Sequence, residues 1–147
     1  MNKDRTERLI NRIRSFESVK PGWIYAMQES PSGLTKIGRS SDVRFRLKQI
    51  RILNIHVVLV ASAYVPCCLA DVEHSIHANF SKNRIEGEWF NISITQSCLT
   101  ELVTTAFKDA LAIAETFTPD VAAKWLYPGT KRFNSPLYEH TLGEPYQ

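Results

Sequence analysis

The sequence predicts a small α/β (α+β) unit. Its centre is a sheet of three to four mixed or antiparallel strands flanked by helices. One helix precedes it and a helical extension follows. Three observations carry this expectation. Two short apolar runs, residues 23–27 and 34–38, are split by a Gly-containing turn, the pattern of a hairpin. Later stretches repeat apolar residues three to four positions apart, the pattern of amphipathic helices. These alternate with short runs rich in Val, Ile and aromatics, so the order reads helix, β-β-α-β-α-β, then helical tail.

In residues 3–17, Leu9, Ile10, Ile13 and Phe16 repeat at helical spacing, with Arg5, Arg8, Arg12 and Arg14 on the remaining surface. Pro21-Gly22 ends that helix. Residues 23–27 form the first strand, Ser30-Pro31-Ser32-Gly33 the turn, and residues 34–38 the second strand. Ser41 or Asp42 caps a helix running to about residue 53, with Val43, Leu47 and Ile50 as its apolar stripe. Residues 56–64, dominated by Val, Leu and Ala, predict a buried strand. Pro66 opens a helix to about residue 80, carrying Leu69, Val72, Ile76 and Phe80. Residues 81–87 are a basic, polar loop and residues 88–92 a short strand. Residues 97–116 predict a long helix with Leu99, Val103, Phe107 and Leu111 on its apolar face. Pro119-Asp120 opens a short helix to residue 127, which Pro128-Gly129 breaks. The last 18 residues read as irregular chain lying against a partner or the body. The expected divisions are 1–20, 21–95 and 96–147.

The chain of 147 residues is 44% hydrophobic and carries 18 Lys and Arg against 15 Asp and Glu, a net charge of +3. That is enough apolar content for a packed core and too little net charge to announce a partner. The longest apolar run, residues 57–65, is interrupted by Ser62 and falls far short of the roughly 20 residues of a membrane span. The N-terminus lacks the apolar core of a signal peptide. Three cysteines, two of them adjacent (Cys67 and Cys68), form no disulfide framework. The expectation is a cytoplasmic protein with no membrane partner.

The basic residues cluster. Lys36, Arg39, Arg44, Arg46, Lys48 and Arg51 fall within sixteen positions with one acid, Asp42, a local charge of +5. Lys82 and Arg84 extend the patch. Such a stripe suits a phosphate backbone, through charge and counterion release, and equally describes a solvated helix face.

The hairpin carries more. Trp23-Ile24-Tyr25 is followed by Lys36-Ile37-Gly38-Arg39-Ser40, then Arg46-Leu47. A helix segment reads Glu73-His74-Ser75-Ile76-His77-Ala78-Asn79-Phe80, and a strand reads Gly87-Glu88-Trp89-Phe90. In this order the segments resemble the GIY-YIG nuclease superfamily, and within it a phage and bacterial branch with K-I-G-R-S and G-E-W-F motifs. The resemblance spans residues 22–93. Trp23 stands where the family name has Gly, and Lys36 replaces the first Tyr of the second motif.

The resemblance implies a metal-dependent endonuclease hydrolysing phosphodiester bonds in DNA, with RNA as another substrate class it admits. The metal would be Mg²⁺ or Mn²⁺, with Glu73 as its only protein carboxylate ligand. Tyr25 would be the general base or would orient the attacking water. A free phenol has a pKa of about 10, and a nearby cation favours its ionised form, so Lys36 is expected to lower it or to hold the water. Arg46 would hold the non-bridging phosphate oxygens. His77, one turn after Glu73, would contact phosphate, shuttle a proton or orient Glu73. Asn91 would help place the Glu73 helix or a metal-bound water. Arg39, Arg44, Lys48, Arg51, Lys82 and Arg84 would be backbone-positioning contacts to nucleic acid. Two other readings stay open: a non-catalytic DNA-binding module on the same scaffold, and a protein-interaction or toxin-like subunit. A homodimer through the C-terminal helices is a further partner the sequence admits.

Overall fold

The computed structural model describes residues 3–14, 20–120 and 140–147. Helix α1 (Lys3–Arg14) leads into strand β1 (Gly22–Glu29), strand β2 (Thr35–Ser40) and helix α2 (Val43–Leu53). Strand β3 (Val57–Val65) and helix α3 (Leu69–Asn79) follow. A 3₁₀ turn (Ser81–Asn83) leads to the short strands β4 (Arg84–Glu86) and β5 (Trp89–Phe90), and the long helix α4 (Gln96–Phe117) ends the series. The five strands form one sheet in the order β3-β1-β2-β5-β4. All its pairings are antiparallel. The architecture is therefore α+β, with one strand more than the upper expectation. The extra strand is β4, inside the segment expected to be a basic loop. Its pairing with β5 is a tight local hairpin that a polar, exposed sequence conceals.

The alternation of side chains along β1 sorts the core into two layers. Ile24 and Ala26 face α1, α3 and α4, in a cluster with Val72, Ile76, Leu99, Val103 and Phe107. Trp23, Tyr25 and Met27 face the other way, onto Val43, Leu47 and Ile50 of α2. Helix α4 spends its apolar stripe inside its own domain, burying seven residues from Leu99 to Ala114. Leu9 joins the same core from α1. Phe16 and the side chain of Ile13 lie outside the described residues, as does the expected 119–127 helix beyond Asp120.

Local chemistry explains where the elements start. Asp42, rather than Ser41, caps α2, its carboxylate accepting from the Phe45 amide at 2.9 Å. Thr95 caps α4 by accepting from the Cys98 amide at 3.1 Å. Helix α3 starts later than Pro66, because Cys68 takes a left-handed conformation (φ 59°) at its N-cap. Cys67 and Cys68 are buried and free, and both belong to the apolar core.

Strand β3 departs from a wholly buried strand. Its second half is buried, while Val58 and Val60 are exposed at the sheet's edge. Beyond them the C-terminal segment covers that edge. The Gly143 amide donates to the Tyr64 carbonyl at 2.8 Å, and the Tyr64 amide donates to the Glu144 carbonyl at 2.9 Å. Tyr146 donates its hydroxyl to Asp42 at 2.9 Å, and its ring meets Trp23 edge-on. The described part of the tail thus lies against the body.

Candidate active site

Tyr25 sits in the middle of β1, opposite Gly38 of β2 and Ser62 of β3. Its ring is buried (2% exposed) and lies across Gly38. A Cβ at position 38 would stand 2.4 Å from the Tyr25 hydroxyl, so any other residue there would displace the ring. Strand alternation puts Lys36 on the same face as Tyr25 and Arg39 on the opposite face. Arg46 comes from α2 and Glu73 from the first half of α3.

These side chains converge. Tyr25, Lys36, Arg39, Arg46, Glu73 and Glu88 line one open pocket of about 180 Å³. Four of the six residues that the sequence proposes as catalytic are here: Tyr25, Lys36, Arg46 and Glu73. Arg39, expected only as a backbone contact, is also here. Glu88 is the residue sequence reasoning missed. It precedes Trp89, which pairs with Lys36 across β5 and β2. The only signal for it is an acid inside the G-E-W-F motif, and motif membership alone does not reveal what the acid faces.

Two expected residues lie elsewhere. His77 is buried and donates through Nε2 to the Ile37 carbonyl at 2.8 Å, with its ring against Phe90. It ties α3 to β2. One turn along the helix it also favours the ionised form of Glu73. Asn91 is exposed at the end of β5, its amide donating to the Asn83 carbonyl at 2.8 Å. It contributes to the β4–β5 corner and not to the pocket lining.

Lys36 is held twice. Its Nζ lies 2.8 Å from Glu88 Oε2 and 5.8 Å from the centre of the Trp89 ring. It is therefore committed to a carboxylate, and it does not act on Tyr25 as expected. The Tyr25 hydroxyl is shifted well above its ordinary value, by burial first and by Glu88 second. Arg46 opposes this weakly and Glu73 adds to it. The expectation of a lowered phenol is overturned, because burial and two carboxylates outweigh one guanidinium. Glu73 is also raised, by burial and then by Glu88, with Arg39, His77 and Lys36 working against the shift. Glu88 thus shares the pocket with Glu73 and disfavours the charge on Glu73.

The donor set suits a hard divalent cation. Mg²⁺ takes one or two carboxylates and completes its shell with water and substrate phosphate oxygens. Among the described residues no cluster of three or more His, Cys, Asp or Glu exists. A cation held here would therefore rest on Glu73, with Glu88 beside it, and on water or substrate oxygens.

The remaining cations divide by helix geometry. On α2 the apolar stripe of Val43, Leu47 and Ile50 separates Arg46 on one flank from Arg44, Lys48 and Arg51 on the other. Those three share a face at i, i+4 and i+7 and are exposed. Lys82 lies on the 3₁₀ turn and Arg84 on β4, where its guanidinium is 5.2 Å from the Phe90 ring centre. Among the described residues no helix is long and apolar enough to cross a membrane.

No curated protein and no solved structure matches the chain. The family model of the T5orf172 domain matches residues 22–107, more than half of the chain. This overturns the assignment to the GIY-YIG nuclease superfamily, a different family. All the segments that carried that resemblance lie inside the matched span. Tripeptides of common strand and helix residues do not separate one small α+β family from another, whereas a match over the whole span does. By that match, the chain belongs to the T5orf172 domain family.

Proposed function

We propose that the protein is a metal-dependent endonuclease that hydrolyses phosphodiester bonds in DNA. The observation that carries this reading is the convergence of a tyrosine hydroxyl, two carboxylates and Arg46 in one open pocket. Carboxylates facing a phosphate site repel it, so a protein that only binds DNA has no use for them there. A hydrolase does, because they recruit a divalent cation.

Glu73 would hold Mg²⁺ or Mn²⁺. That ion supplies polarisation of the scissile phosphate. Arg46 holds the non-bridging oxygens, where charge builds as water attacks. Tyr25 stays a neutral phenol, since burial and its carboxylate neighbours disfavour ionisation. Its oxygen orients the attacking water by accepting a hydrogen bond, which suits a positioning role better than that of a base. Arg44, Lys48 and Arg51, with Lys82 and Arg84, hold the flanking DNA backbone through charge.

The three free cysteines favour a reducing, cytoplasmic setting. Helix α4 has its apolar face in its own core, so a homodimer formed through it would join outer, polar faces.

The test is cleavage of a labelled duplex with Mg²⁺ or Mn²⁺. Glu73→Gln is expected to lose cleavage by about a hundredfold or more and to keep DNA binding, because it removes a negative charge. Arg46→Ala is expected to lose cleavage by about 10²-fold with weakened binding. Retained cleavage in Glu73→Gln contradicts the reading.

A further inference from the structure

Glu88 lines the pocket from the β4–β5 corner, and Lys36 Nζ holds it at 2.8 Å. Glu73 faces the same space from α3. Between them the Tyr25 hydroxyl, on a side chain 2% exposed, lines the pocket and makes no hydrogen bond among the described residues. That oxygen is not one of the buried polar atoms without a partner; it opens onto the pocket, where water or a ligand beside the two carboxylates can reach it.

We propose that Glu88 is a second carboxylate ligand of the cation site, and that Lys36 is an internal counterion that the cation displaces. This deepens the nuclease reading and rests on it. In the cation-free pocket, Lys36 neutralises Glu88 and is steadied by the Trp89 ring. With a divalent cation bound, Glu88 would serve as its second carboxylate ligand. Lys36, no longer paired with Glu88 and beside Trp89, would offer its ammonium donors to phosphate. The same lysine therefore keeps the empty pocket electrically quiet and becomes a phosphate ligand only when metal is bound. That couples DNA engagement to metal loading.

A second carboxylate also fits the cation chemistry better than one. A single partly buried glutamate is a weak magnesium site. Two leave the open positions that water and substrate oxygens need.

The test is Mn²⁺ binding to the full-length protein without DNA, by calorimetry or by loss of the free-ion spin-resonance signal. Glu88→Gln is expected to weaken Mn²⁺ by about tenfold or more, the scale of altering a metal's supporting groups. Lys36→Met is expected to tighten Mn²⁺ severalfold, because Glu88 is then free. In the Glu88→Gln background the same Lys36→Met change is expected to have no effect. That non-additivity separates competition for Glu88 from simple charge repulsion, which would act equally in both backgrounds. Circular dichroism of each variant confirms that it is folded. Unchanged Mn²⁺ affinity in Glu88→Gln overturns the proposal, as does an equal gain from Lys36→Met in both backgrounds. Glu73→Gln distinguishes the two readings. If it alone loses Mn²⁺, the nuclease reading stands without Glu88. If it too binds normally, the cation site itself is wrong.

Discussion

At the scale of single residues, Tyr25 decides most. An aromatic on a central strand reads first as core, and its ring is indeed buried. What sets it apart is the hydroxyl, which makes no hydrogen bond among the described residues and lies over a glycine that has no side chain to fill the space. The two roles separate in Tyr25→Phe. Removing that hydroxyl keeps the packing of the ring, so stability is expected to change by less than about 1 kcal/mol. Cleavage is expected to fall by about tenfold or more, as for loss of a group that positions water. Chemical denaturation and an initial-rate assay check the two halves. A Phe variant with full cleavage would return Tyr25 to the core.

The same residue shows why sequence reasoning about charge can reverse. Lys36 on the neighbouring strand suggests a lowered phenol. Its actual partner, Glu88, comes from the β4–β5 corner more than fifty positions away, and that pairing is invisible in one sequence. The buried bond of His77 is hidden for a similar reason. Helical spacing puts it on the face of Glu73, and only the packing of α3 on β2 shows it donating to the Ile37 carbonyl.

At the scale of elements, α2 positions Arg46, and Asp42 positions α2. The cap carboxylate accepts from the Phe45 amide and from the Tyr146 hydroxyl, and both bonds hold its pKa below the ordinary value. A carboxyl depressed on folding contributes stability above its unfolded pKa and loses it as pH falls through the folded one. Asp42→Ala is therefore expected to lower the melting temperature at pH 7. The gap from wild type should narrow as the medium is acidified, because protonated Asp42 caps poorly. Thermal melts across a pH series check this, and a gap independent of pH contradicts it.

The hairpin of β1 and β2, the cap of α2 and the stripe of α4 were all legible from period, turn residues and capping chemistry. The β4 strand was not, because Arg84-Ile85-Glu86 is exposed throughout and carries no burial pattern. Nor was the open first half of β3. Val58 and Val60 are as apolar as the buried residues beside them, and only what packs over each part of the edge strand distinguishes them.

At the scale of the whole molecule, a net charge of +3 hides an uneven surface. Lys36 is neutralised by Glu88 and Arg46 belongs to the pocket. Under the proposed function, the cations that would meet the DNA backbone are the Arg44, Lys48 and Arg51 face, with Lys82 and Arg84. About four to five phosphate contacts predict a slope near −4 in a plot of log affinity against log salt. Charge reversal at Arg44 and Lys48 together should reduce that slope by about 2 and weaken all sequences alike. A slope near zero would remove the backbone-binding surface from the account.

The central claim is that this pocket cuts DNA with a divalent cation. Nicking of supercoiled plasmid by the purified protein, over a series of Mg²⁺ and Mn²⁺ concentrations with a chelator control, tests it most directly. The account predicts open-circular product that depends on the metal, disappears with chelator and is absent in Glu73→Gln, which still retards the plasmid in a gel. Wild-type protein that binds the plasmid and never nicks it with either metal would contradict the account.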